Sequence, residues 1–353
     1  MKKYKIVILY TELAEYFYKC LIHLNKHYNV EILVVQHDSH PDAPFHFKEE
    51  NNSIKILNKS NYTIKELDNI VYNFKPNIFY VTGWTDLSYL KIVYKYNKSI
   101  PIILGLDNIY VGSLKQLLNI TLFKYFLKLF FNHVWVPGIP QYYYARLLNY
   151  KHSEIMTGLY CADIELFKNY KEPNYNNLKN SIIYIGRFVK YKFVKELYDT
   201  FNEIIEEGNT KWELIMIGNG AEKNNLIETN HIKIIDFQQP ENLIHYTERA
   251  SVFCIPSTTE NWGVVLHEFV SAGKLILASD GVAATSDFII ENYNGFLFKS
   301  GDKESLKDNL KKIMNLPDNK IIEMCQNSKL LSNRINHDVW SAKLLSVLNK
   351  KFN

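Results

Sequence analysis

The feature that most constrains the fold is an alternation that runs twice through the chain. Short apolar, β-branched runs recur at residues 5–10, 30–36, 54–57, 77–81, 101–104, 133–136 and 154–157. Segments long enough for an amphipathic helix separate most of them. Strands buried on both faces read as continuous apolar runs, and the helices between them supply the crossovers that parallel pairing requires. The pattern breaks at residues 168–180, a polar, asparagine-rich stretch that carries Pro173. It restarts at residues 181–185, 212–217, 232–235, 252–255, 275–278 and 295–298, and from about Asp302 the period is helical. This predicts an α/β chain of two Rossmann-like, doubly wound domains: 1–168, a linker over 169–180, and 181–335. A terminal helix over 336–353 is expected to pack back on the first domain. Such folds bind ligands at the carboxyl ends of their strands, so two domains facing across a cleft can hold two substrates.

At 353 residues and 47% hydrophobic composition, two cores are the better expectation than one. Cys20, Cys161, Cys254 and Cys325 are far apart and form no Cys-x-x-Cys pair, which argues against a disulfide framework or zinc ribbon and fits a reducing cytoplasm. The apolar run after the basic start Met1-Lys2-Lys3 is too short for a signal-peptide core. No uncharged apolar stretch has the length of a transmembrane helix. Residues 1–170 hold 19 Lys and Arg against 14 Asp and Glu, whereas the remainder holds 22 against 23. That excess suits an anionic membrane surface or substrate, or is simply a solvated basic face; it lacks the clustering of a nucleic-acid binder. Residues 114–131 are apolar around most of a helical circumference, and their only charges are lysines. A buried core helix is the favoured reading, and a face docking on a membrane is the other.

The chemistry concentrates in Pro256-Ser257-Thr258-Thr259-Glu260-Asn261-Trp262-Gly263-Val264-Val265-Leu266-His267-Glu268. It follows an apolar strand and leads through Gly263 into a helix. Backbone N–H groups at a helix start are unpaired and partly positive, and a glycine lets a diphosphate approach them. Carboxylates at Glu260 and Glu268 can accept hydrogen bonds from sugar hydroxyls at two places along one extended ligand. Gly186-Arg187 ends another strand and Lys192 follows, two cations suited to phosphate oxygens. Gly218 and Gly220 close a third strand as Gly-x-Gly.

Glu260 and Glu268, with Trp262-Gly263-Val264 between them, resemble the E-x7-E signature of the retaining family 4 glycosyltransferases. Arg187 and Lys192 also match that family's spacing, although Phe193 stands where it usually has glycine. The resemblance implies the GT-B fold, strongly over 181–300 and loosely over 1–170. It also implies transfer of a hexose-type sugar, with retention, from a UDP- or GDP-sugar to a saccharide or lipid-linked saccharide. Bacterial surface-polysaccharide or lipopolysaccharide synthesis is the implied setting; the cysteine usage points to the cytoplasm, and the basic first half with residues 114–131 leaves a peripheral membrane contact open. By this resemblance Glu260, Arg187 and Lys192 act on the donor sugar and leaving diphosphate. Glu268, Trp262, Gly263, Val264, Gly186, Gly218 and Gly220 bind the donor, and Asp163 is structural.

The first half departs more. It lacks a glycine-rich loop after its first strand and the histidine that many relatives place after the fifth. Asp107 is the best substitute, as sugar partner or as a cap of the next helix. Trp84, Asn108 and Gln141 stand at strand ends as acceptor-side candidates. His267 is expected to be a packing residue. No metal or other cofactor is called for. Two rival readings stay open: a catalytically silent nucleotide-sugar-binding subunit, and an epimerase or phosphorylase on the same fold.

Overall fold

A computed structural model describes residues 3–38, 53–168 and 180–349. The expected linker lies outside these residues apart from Asn180. The chain divides into two compact units, one of residues 1–161 with 335–353 and the other of residues 162–334.

In the first unit, β1 (Tyr4–Tyr10), β2 (Val30–Gln36), β3 (Ile54–Asn58), β4 (Ile78–Thr82), β5 (Ile102–Gly105), β6 (His133–Val136) and β7 (Ile155–Thr157) form one sheet. Its order is β3-β2-β1-β4-β5-β6-β7 and its pairs are parallel. In the second unit, β8 (Ser181–Ile185), β9 (Glu213–Ile217), β10 (Ile232–Ile235), β11 (Val252–Ile255), β12 (Leu275–Ser279) and β13 (Gly295–Phe298) form the other. Its order is β10-β9-β8-β11-β12-β13, again parallel. The apolar runs become strands because both faces are covered: Val7, Leu9, Phe79 and Leu104 are buried in one core, and Ile182, Leu214, Cys254 and Leu277 in the other. Each sheet reverses its winding once, at β1/β4 and at β8/β11. The crevice left at such a reversal opens at the carboxyl ends of the strands.

The terminal helix His337–Ser346 packs on the helix Glu15–His27 of the first unit. Trp340 anchors it. The ring is fully buried, lies 4.9 Å from Trp135 and donates from Nε1 to the Leu159 carbonyl at 2.8 Å. Residues 162–168, expected in the first domain, group with the second unit, because the helix Ile164–Lys168 packs on the helix Val264–Ser271.

Residues 114–131 depart from the favoured expectation of a buried helix. They form the helix Leu114–Phe123, none of whose residues is buried, and a separate 3-10 turn, Leu127–Leu129. Ile120 and Phe123 lean on the core, and Leu127 and Phe131 anchor the far end. An apolar circumference does not specify what covers it, and only one side of this helix meets the sheet. Among the described residues no helix is long and apolar enough to cross a membrane.

Lys274, just before β12, is buried, and burial pushes its ammonium down to about 8. The unfolded chain therefore binds more protons than the folded one between that value and the ordinary 10.5. Stability gains from this group as pH rises through the window. Lys274→Met is expected to raise stability near pH 7 by on the order of 1–3 kcal/mol, with the gain shrinking toward pH 10. Thermal unfolding at the two pH values checks this.

Candidate functional site

In the second unit the expected residues gather at the β8/β11 reversal. β8 runs into Gly186 and Arg187, β9 into Gly218 and Gly220, and β11 into Pro256 and Ser257. The first two loops touch backbone to backbone. Gly186 N–H donates to the Ile217 carbonyl at 3.1 Å and Phe188 N–H to the Asn219 carbonyl at 2.8 Å. A Cβ on Gly218 would collide with the Gly186 carbonyl, and one on Gly220 with the backbone of Phe188.

Lys192 closes the 3-10 turn Lys190–Lys192, and its ammonium pairs with the Glu260 carboxylate. Ser257 Oγ donates to the same carboxylate oxygen at 3.4 Å. Phe193 takes the left-handed conformation, φ 56°, at the position where glycine was expected; its ring is buried, and packing holds the backbone there. Exposed Arg187 donates to the Tyr191 hydroxyl. The Tyr191 carbonyl accepts from Thr258 N–H at 2.7 Å and Thr258 Oγ1 at 3.0 Å, tying the loop of the two cations to that of Glu260. Glu260 is pinned further by its N–H donating to Gly281 at 3.0 Å and its carbonyl accepting from Ala283 at 3.2 Å. Burial, and then the nearby Glu260, push the Tyr184 hydroxyl far above its ordinary value, so it stays protonated and donates to the Arg187 carbonyl at 2.9 Å.

Gly263, at φ 94°, turns the chain into the helix Val264–Ser271, and no side chain caps that helix. Its first N–H groups and its positive dipole end face the turn that carries Glu260. Glu268 is half-buried on the same helix. His267 is fully buried. Nδ1 accepts from Ala162 N–H at 3.3 Å, Nε2 lies 3.0 Å from the Ser332 carbonyl, and the ring stacks on Phe288, so it packs as expected. Trp262 needs correction as a donor contact. The residue is 2% exposed, its ring packs edge-on to Phe288 and its carbonyl accepts from Ala284 N–H at 3.0 Å, so it holds the loop from within.

In the first unit, a cavity of about 1030 Å³ opens at the carboxyl ends of β1, β4 and β5. Tyr10, Thr82, Trp84, Asp107, Asn108 and Tyr160 are among the residues that line it. Asp107 is not a helix cap: Ser113 caps the next helix, while the Asp107 carboxylate accepts from the Tyr160 hydroxyl at 3.0 Å. Burial first, then the surrounding tyrosines and Asp107, hold that hydroxyl protonated. Gln141 is corrected from acceptor contact to support. It is fully buried, and its amide lies 3.4 Å from the Asp107 carbonyl as donor. Asp163 accepts from Leu166 N–H at 3.3 Å and so caps the helix Ile164–Lys168.

Tyr160 and Ser257 were missed as site residues. Ser257 stands in the donor motif and Tyr160 just before Asp163, but which side chain each would meet depends on pairing across the sheet. Among the described residues Cys20, Cys161 and His337 form a buried group whose ligand atoms lie within 4.8 Å of one another; none of them lines the cavity.

The family model for Glycosyl transferases group 1 matches residues 167–329, nearly all of the second unit. The chain is 26% identical over 168 residues to the Staphylococcus aureus capsular polysaccharide biosynthesis glycosyltransferase CapM, covering 45% of this chain and 43% of that protein. It is 26% identical over 159 residues to an uncharacterized glycosyltransferase of Haemophilus influenzae, covering 43% of this chain and 44% of that one. The matched part thus spans less than half the length of these two relatives. In structure it is similar to a sucrose-phosphate synthase of Thermosynechococcus elongatus, with TM-score 0.75, 13% identity and 98% of both chains covered. It is also similar to Anabaena HepE in complex with UDP and glucose, with TM-score 0.74, 15% identity, and 98% of this chain and 99% of that one covered. These likenesses establish the GT-B fold of two Rossmann-like domains and support a group 1 glycosyltransferase.

Gly218→Ala is expected to destabilise the second unit by on the order of 2–4 kcal/mol, because the new methyl meets fixed backbone. Chemical denaturation of the variant beside wild type measures it.

Proposed function

We propose that the chain is a retaining, family 4-type glycosyltransferase. It moves a hexose from a nucleotide-sugar donor to a saccharide or lipid-linked saccharide in polysaccharide synthesis. The observation that carries this reading is the convergence of the Lys192–Glu260 ion pair, the uncapped start of the helix Val264–Ser271 and the glycine-backed loops of β8 and β9. Donor groups and cations gather where a diphosphate would lie, and carboxylates stand on either side for hydroxyls. The UDP complexes of Anabaena HepE and the capsular polysaccharide role of CapM support UDP-sugar and polysaccharide chemistry as the first to test.

In this reading Arg187 and Lys192 stabilise charge on the departing diphosphate, and the N–H groups after Gly263 bind its oxygens. Lys192 meanwhile holds Glu260 in place to orient the sugar, and Glu268 takes the ribose. The bond from the anomeric carbon to phosphate oxygen breaks, and the acceptor oxygen bonds to that carbon from the same face. The acceptor proton passes to a phosphate oxygen. Asp107, held by Tyr160, accepts a hydroxyl in the first unit's cavity, and Trp84 and Asn108 line the same space.

A nucleoside diphosphate in hundredfold excess over its Kd is expected to stabilise the protein by about 2.7 kcal/mol. Thermal shifts with UDP, GDP, ADP and their sugar conjugates measure this, and Glu268→Ala should abolish the shift. Absence of a shift with every nucleotide would sink the donor assignment. Glu260→Gln is expected to keep nucleotide binding and lower kcat on the order of a hundredfold, since its contact is to the sugar. Product formation under saturating donor is the readout.

A further inference from the structure

The helix Leu114–Phe123 has two unlike faces. Asn119, Gln116 and Phe123 line the Asp107 cavity on one side. On the other, Leu114, Leu117, Leu118 and Leu122 recur at helical spacing and face outward; Leu114 is 80% exposed, Leu118 60% and Leu122 68%. Thr121 falls in the same stripe, and its hydroxyl is turned back onto the carbonyls of Leu117 and Leu118 at 3.1 and 2.9 Å, so no polar donor interrupts the row. An amphipathic helix normally presents such a stripe to a core. Here the stripe continues into exposed Tyr125, Phe126 and Leu129. Beyond Phe126 an apolar groove of about 750 Å³ opens, with Leu87, Leu90, Tyr94 and Phe130 in its walls and Lys65, Lys91, Lys95 and a single acid, Asp68, around it.

The charge around this face is predominantly basic: Asp68 at the groove pairs with Lys95 at 2.6 Å and Glu154 pairs with Lys128 at 2.9 Å, but lysines outnumber these acids. Between residues 87 and 131 there are six lysines, Lys91, Lys95, Lys98, Lys115, Lys124 and Lys128, and a single acid, Asp107, which is turned into the cavity. Lys115 and Lys124 project to either flank of the leucine row by helical position. Apolar side chains at the centre with lysines at the margin complement the interface of an anionic bilayer, where the chains enter the acyl boundary and the ammonium groups meet headgroups.

We infer that this face docks the first unit on an anionic lipid bilayer. Because the same helix forms a wall of the Asp107 cavity, docking brings that cavity to the headgroup layer, where a lipid-linked acceptor presents its saccharide. This last consequence rests on the function proposed above; the docking does not.

The test is flotation of the full chain with vesicles of phosphatidylcholine alone and of phosphatidylcholine mixed with phosphatidylglycerol. Two variants run beside it, Leu114→Ser/Leu118→Ser/Leu122→Ser and Lys124→Glu; circular dichroism and the UDP thermal shift report separately on folding and on the donor site. Wild type is expected to float with the mixed vesicles and to be released by salt. The triple variant should lose roughly tenfold or more of that affinity, and Lys124→Glu several-fold. The inference is overturned if wild type ignores the mixed vesicles, or if the folded triple variant floats as wild type does. It is equally overturned if sedimentation shows a wild-type dimer that the triple variant dissolves without any vesicle binding, since a second copy then covers the face. Loss of the UDP shift with flotation intact would count against the donor reading alone.

Discussion

Parallel pairing is the constraint from which the rest follows. A parallel strand cannot be reached by a tight turn, so every connection crosses a face of the sheet, nearly always right-handed. The winding in each unit starts from an inner strand, β1 or β8, and must reverse to fill the other side. At that reversal adjacent connections leave in opposite directions, and no helix can cover the gap. The loops that carry Arg187 and Glu260 end there because β8 and β11 are neighbours, although 73 positions separate those residues in the chain. The Asp107 cavity obeys the same rule through β1, β4 and β5.

Within that frame, close backbone approach does the positioning in the second unit. Gly186, Gly218 and Gly220 let two loops meet without side chains between them, leaving room along their surface. The Lys192–Glu260 pair then places one cation and one carboxylate together at the mouth of an uncapped helix. Half-buried, with Ser257 as a further donor, the pair is better suited to orienting groups than to stabilising the fold.

Much of this was legible in the sequence because strands buried on both faces write their own signal. The runs at residues 30–36, 133–136, 181–185, 232–235, 252–255 and 295–298 coincide with strands at both ends. The donor motif was legible because helix starts, glycines and paired carboxylates are local. What could not be read was what covers a side chain. Trp262 and Gln141 stand in motifs at strand ends, yet both are buried, Trp262 against Phe288 and Gln141 beside the Asp107 carbonyl. Residues 114–131 show the opposite error: the apolar pattern was visible, but not that, among the described residues, one side of the helix stays exposed. The Tyr160–Asp107 hydrogen bond joins residues 53 apart and depends on the pairing of sheet elements that a linear pattern does not encode.

The most direct test of the central assignment is backbone amide hydrogen exchange with and without UDP. The account expects UDP to slow exchange in residues 186–193, 218–220 and 260–268 of the second unit. Protection confined to the first unit, or no change in those three loops at saturating UDP, would contradict it.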